Sequence, residues 1–184
     1  MYVFNCGVEH PMGEYLRGAI QVPIEHKYLI NARRWADAVA GRYRATIQID
    51  STSLYIVIKP NEGVTVDEVL KLRDMAQAIS LGFTPEDALK LENENYRLEY
   101  IDLKEHVKRQ HISRVKGRII GEDGRAKATI EALTGAKIVV GDRYVGILGP
   151  ADAVDVAKEA LLMLISGKKH GTVYKYIEKA LRQP

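Results

Sequence analysis

Arg118-Ile119-Ile120-Gly121-Glu122-Asp123-Gly124-Arg125 decides the fold, because two glycines three positions apart interrupt an otherwise helical pattern. Ahead of them Ile112, Val115 and Ile119 recur at the spacing of one helical face, and behind them Ala126, Ile130 and Leu133 do the same. Gly135 suits the position that ends the second helix. Gly121 to Gly124 therefore forms a tight turn whose place is fixed by the packed faces of its two helices. Downstream come the strands Lys137 to Val140 and Tyr144 to Leu148, then Pro150 and a long helix. An opening strand near Leu98 to Leu103 completes an α+β unit with its helices on one face of a sheet.

The same order recurs in the N-terminal half. An opening strand near Ile20 to Ile24 leads to Leu29-Ile30, the turn Asn31 to Arg34 and a helix from Trp35. Strands Thr46 to Ile49 and Leu54 to Ile58 follow, then Pro60 and a helix. Asn31 and Gly121 lie 90 positions apart, as do Pro60 and Pro150. In the closing helices Val69, Leu72, Ala76 and Ile79 repeat the spacing of Val154, Ala157, Leu161 and Leu164. There the separation is 85, which puts five extra residues, Asn61 to Thr65, in the first copy's loop. A glycine and another short helix follow each long helix, the first of these starting at Thr84-Pro85-Glu86-Asp87. Glu92 to Asn95 is polar and aperiodic. The expected organisation is two units, residues 1–92 and 93–184, each a strand, two helices joined by a turn, two strands and a helix, with an extra helix after it.

The turn in the second unit is built for a sugar-phosphate backbone. A helix N-terminus offers unpaired N–H groups and a partial positive charge, and Gly121 and Gly124 remove Cβ atoms where a polymer backbone would have to come close. Lys116, Gly117, Arg118, Arg125 and Lys127 surround the turn. Between Arg114 and Lys127 five basic and two acidic residues give a balance of +3, equal to the formal charge of the whole chain. Ile119 and Ile120 precede the turn, and Ile120 with Ile138 or Val140 would line an apolar groove wide enough for unpaired bases, which favours single strands. Glu122 and Asp123 are the discordant pair: they either cap the following helix or repel phosphate, and capping is the expectation. In the first copy Asn31-Ala32-Arg33-Arg34 has no glycine. Arg33, Arg34, Arg42 and Arg44, near Trp35 and Tyr43, form either a second RNA surface or a solvated basic face with Trp35 in the core.

With the helix that follows it, the run Ile119-Ile120-Gly121-Glu122-Asp123-Gly124 resembles the KH signature, and the element order resembles a type I KH domain (βααββα). The resemblance implies a loop that clamps about four nucleotides of single-stranded backbone. Over roughly residues 20 to 182 the chain also resembles the archaeal and eukaryotic small-subunit ribosome-biogenesis family that partners the Nob endonuclease, whose members have two KH domains, the first degenerate. Ala78-Ile79-Ser80-Leu81-Gly82-Phe83 with Pro85 and Ala88, Gly117 to Gly121, and Ser166-Gly167 through Tyr174 and Ile177 carry that likeness. What it implies is binding to the 3′ region of small-subunit rRNA or its precursor and work beside that endonuclease. A KH-fold protein scaffold with weak RNA affinity is the alternative.

Enzymatic readings fare poorly. Gly117 to Gly124 lacks the Gly-Lys-Ser/Thr ending of a P-loop and the strand-adjacent glycines of a dinucleotide site. His10, His26, His106, His111 and His170 show no metal-ligand spacing, so the expectation is a non-enzyme with no cofactor and no metal. Cys6, the one cysteine among 184 residues, excludes an internal disulfide and fits a reducing compartment. Met1 to Met12 has no basic run followed by an apolar stretch, and nothing approaches the ~18 apolar residues of a membrane span, so a soluble cytoplasmic protein is expected.

Overall fold

Alternation of apolar residues along three short strands, and their recurrence at helical spacing elsewhere, builds each half of the chain. The computed structural model describes residues 18–182; Cys6 and His10 lie outside the described residues. The chain divides into two compact units, the first running to Glu92 and the second starting at Asn93.

In the first unit β1 (Ile20–Pro23), β2 (Ala45–Asp50) and β3 (Tyr55–Pro60) form an antiparallel sheet in the order β1-β3-β2. Ile20 and Ile47 both pair with Ile58, and Val22 and Ile49 with Ile56, so one face carries six aliphatic side chains. Helices α1 (Leu29–Val39) and α2 (Val66–Leu81) contribute Leu29, Ala32, Trp35 and Val39, and Val69, Leu72, Ala76 and Ile79, all buried. The five-residue insertion ends in a capping box: Thr65 Oγ1 accepts from the Glu68 N–H at 3.2 Å, and Glu68 Oε2 accepts from the Thr65 N–H at 2.8 Å. Thr84 caps the short α3 (Pro85–Ala88) by accepting from the Asp87 N–H.

The first unit departs from expectation between β1 and β2. Asn31 to Arg34 is no turn; it lies inside α1, and the helix expected before it is only a three-ten turn, His26–Tyr28. The unit therefore reads β-α-β-β-α with a short closing helix. Ala32, Arg33 and Arg34 favour helix, no glycine is present to take a left-handed turn, and the buried row Leu29, Ala32, Trp35, Val39 runs straight through.

In the second unit β4 (Tyr96–Asp102), β5 (Lys137–Val140) and β6 (Tyr144–Pro150) repeat the sheet order as β4-β6-β5. A short α4 (Leu103–His106) precedes α5 (Ile112–Ile120), and α6 (Arg125–Thr134), α7 (Ala151–Ile165) and α8 (His170–Leu181) complete the unit. Its core joins Ile101, Val115, Ile119, Ile130, Ile138, Val145 and Ile147 to Val154, Ala157, Leu161 and Leu164 of α7 and Val173 and Ile177 of α8. Asp102, almost wholly buried, accepts hydrogen bonds from Arg143 and from the Lys104 N–H, capping α4. The Arg143 hydrogen bond outweighs burial and holds its carboxyl below the usual aspartate range. That contribution to stability is present above the unfolded-state pKa of about 4 and fades as pH falls through the lowered folded value.

Tyr43 supplies an alkaline counterpart in the first unit. Burial foremost, then the hydrogen bond it donates to Glu92 Oε1 at 2.9 Å, pushes its hydroxyl up to about 12. The raised value means that stability from Tyr43 is complete below its unfolded pKa of about 10 and is lost as pH rises through the folded value. An ultraviolet phenolate titration should show a late-ionising tyrosine that shifts down in a Glu92→Gln variant. An unchanged late step would assign the shift to other groups.

Candidate nucleic-acid interface

The turn between α5 and α6 is held by backbone geometry. Gly121 closes α5, its N–H bonded to Gly117 O at 2.8 Å, with φ 75° and ψ 178°. Asp123 (φ 53°) and Gly124 (φ 78°) follow in left-handed conformations, and α6 starts at Arg125. The two glycines do different work. A Cβ on Gly121 would lie 2.6 Å from Ala126 Cβ and 2.7 Å from Ala126 N, so the first glycine lets the turn pack on α6. A Cβ on Gly124 would meet nothing within 4 Å, so the second keeps an open approach to the start of α6. Gly117, exposed on α5, is equally open.

The expected capping by Glu122 or Asp123 does not occur. Gly124 holds the N-cap position of α6, and among the described residues no side chain hydrogen-bonds there. Both carboxylates are exposed, and Asp123 is 3.4 Å from Arg125 Nη2. The consequence is favourable for an anion, because no carboxylate occupies the first turn of α6.

The surrounding cations are mostly engaged. Lys116 Nζ reaches Asp142 at 3.1 Å, in the β5–β6 connection, and Lys127 Nζ reaches Glu131 at 3.3 Å. Glu131 also accepts from the Ile138 N–H at 2.7 Å, tying α6 to β5. Arg118 is engaged by backbone carbonyls: its Nη2 donates to Lys168 O at 2.6 Å and its Nε to Leu164 O at 3.3 Å. Its guanidinium therefore fastens the α7–α8 connection. Ile138 is not exposed to a groove. It sits in the core at 1% exposure, like Ile119 at 0%, because β5 alternates and Ile138 takes the helix-facing side. Ile120 and Val140 are the partly exposed members of the expected groove.

Three of the four arginines of the expected second basic surface have partners in the fold. Arg34 pairs with Glu86 at 2.9 Å, Arg42 with Glu92 at 2.7 Å, and Arg44 donates to Gly63 O at 3.0 Å. Trp35 is fully buried, as the solvated-face alternative holds. Arg33 is exposed and has no ion pair among the described residues. Lys168 and Lys169, exposed beside Arg118, were not singled out from sequence, because only the fold brings residues some fifty positions apart together. Among the described residues no group of three or more His, Cys, Asp or Glu side chains is placed to hold a metal, and no helix is long and apolar enough to cross a membrane.

A glycine turn between two helices packed on an antiparallel β4-β6-β5 sheet defines a KH domain of type I, and residues 97–182 match the Pno1 second-domain family model, a eukaryotic type KH-domain (KH-domain type I). A KH domain-containing protein of Methanocaldococcus jannaschii is 44% identical over 112 residues, 60% of this chain and 49% of that protein. The pre-rRNA-processing protein pno1 of Aspergillus oryzae is 38% identical over 113 residues, 59% of this chain and 44% of that protein. The chain thus spans about half the length of these curated relatives. The crystal structure of Dim2p from Pyrococcus horikoshii superposes with a TM-score of 0.80 at 32% identity, covering 89% of this chain and 99% of that one. A further structure from that organism is an a/eIF2alpha-aDim2p-rRNA complex, TM-score 0.78 at 32% identity over 88% of this chain and 93% of that one. The chain belongs to the Pno1/Dim2-type family of KH-domain proteins.

Proposed function

We propose that this protein binds single-stranded RNA of the small ribosomal subunit, in the 3′ region of the rRNA or its precursor, as a non-enzymatic factor in ribosome biogenesis. Gly124 carries the reading: open, left-handed and at an uncapped helix start, it admits a phosphate backbone to the N–H groups of α6. The names of the relatives, pre-rRNA-processing and RNA-binding protein, and a Dim2p complex containing rRNA support the same direction. The second unit acts as the clamp. The first is read as a KH derivative that has merged its turn into α1 and is left for support or protein docking, with an endonuclease of the Nob family as the proposed partner.

The test is fluorescence anisotropy with labelled oligonucleotides from the small-subunit rRNA 3′ region, single-stranded and annealed. The expected result is tighter binding to the single strand, by about tenfold or more, since paired bases cannot enter a groove bounded by Ile120 and Val140. Equal affinity for both forms would reduce the site to a general polyanion surface. A pull-down repeated after ribonuclease treatment separates the scaffold alternative, in which partners stay bound after digestion.

A further inference from the structure

The cations nearest the turn each stand beside a carboxylate, whereas among the described residues those on the flank of α5 do not. Lys116, Arg125 and Lys127 each face a carboxylate, of Asp142, Asp123 and Glu131. Arg114 and Arg118 share the other side of α5, one turn apart. Arg118 holds the α7–α8 connection there through Leu164 O and Lys168 O, and His170 Nε2 lies 2.8 Å from Arg118 O, a third tie between the same segments. This brings exposed Lys168 and Lys169 to the Arg118 side of α5, the side that also carries exposed Arg114. Among the described residues none of Arg114, Arg118, Lys168 and Lys169 is paired with a carboxylate.

We propose that RNA held at the Gly121–Gly124 turn continues along this flank, its phosphates meeting Arg114, Lys168 and Lys169. The inference rests on the RNA-clamp reading and extends it to a second contact zone outside the four-nucleotide footprint of the turn. A phosphate approaching Lys116 or Lys127 competes with a nearby carboxylate, while one approaching the flank meets uncompensated charge and gains from counterion release. RNA fits this zone better than an acidic protein because the flank is continuous with the clamp: Arg118 precedes Gly121 by three residues, about 4.5 Å of helix rise. Arg118 itself acts as a positioning residue, since its donors are committed to the connection.

The experiment uses the full chain, an Arg114→Ala/Lys168→Ala/Lys169→Ala triple variant and a Gly124→Asp variant, with single-stranded oligonucleotides of four and eight nucleotides from 50 to 200 mM salt. Each lost contact should lower the log-log salt slope by about 0.7. Three contacts change it by about 2, so the wild type's advantage over the triple variant should shrink about 20-fold across that range. Lengthening the oligonucleotide should strengthen wild-type binding and leave the triple variant nearly unchanged. If the triple variant matches wild type in slope and length dependence while Gly124→Asp loses affinity, the flank proposal is overturned and the clamp stands. If wild type binds neither oligonucleotide, clamp and flank fall together. Circular dichroism of the triple variant, whose three side chains are all exposed, should match wild type; a lost fold is covered by repeating the series with Lys168→Ala/Lys169→Ala alone, where a slope change below about 1 counts against the proposal.

Discussion

Replacing Gly124 with Asp is expected to leave the fold in place and to lower affinity for single-stranded RNA by about tenfold or more. The new Cβ meets no atom within 4 Å, and Asp tolerates the left-handed backbone that Gly124 adopts at φ 78°, so the cost in stability should stay near ~1 kcal/mol. Its carboxylate would instead stand in the approach to the α6 N-terminus, where it replaces attraction of a phosphate with repulsion. Thermal unfolding and anisotropy, measured on the same preparation, separate the two effects. A variant that binds as tightly as wild type would show that RNA backbone does not pass this glycine.

Gly121 should respond in the opposite manner, losing stability before it loses any specific contact. Even Gly121→Ala places a methyl group 2.6 Å from Ala126 Cβ and 2.7 Å from Ala126 N, on a backbone at φ 75°, ψ 178° that is almost confined to glycine. Conformational strain of ~1–3 kcal/mol and overpacking of ~1–3 kcal/mol both apply, so denaturant unfolding should register a loss of at least about 2 kcal/mol. α6 cannot withdraw to make room, since Ala126 and Ile130 are buried in the same core. Identical denaturation midpoints for Gly121→Ala and wild type would refute the packing role. The pair of variants turns one sequence motif into two separable properties, architecture at its first glycine and access at its last.

Much of the second unit could be read along the chain. The turn, the helices on either side of it, the strand Lys137–Val140 and the inward row Val154, Ala157, Leu161 and Leu164 all follow from periodicity, because burial on one face writes itself into spacing. The first unit misleads at Asn31 to Arg34. The repeat implies a turn there, whereas the local chemistry of Ala32, Arg33 and Arg34 is helical, and the buried row Leu29, Ala32, Trp35 and Val39 would have revealed the continuous helix. Charge was less legible still. Lys116, Lys127, Arg34 and Arg42 look available in sequence, and each is paired in the fold.

Where the backbone can be approached follows from local pattern alone. Gly121 and Gly124 make a left-handed turn possible between helices whose apolar rows are local, and a local pattern needs no partner from elsewhere in the chain to be recognised. Which cations remain without a carboxylate partner is settled by contacts between distant segments. That outcome depends on Asp142 reaching Lys116 across the β5–β6 connection and on Arg118 turning to the carbonyls of Leu164 and Lys168. Side chains choose partners by distance in space, and residues as far apart as Arg118 and Lys168 meet only after α7 and α8 have packed onto the core.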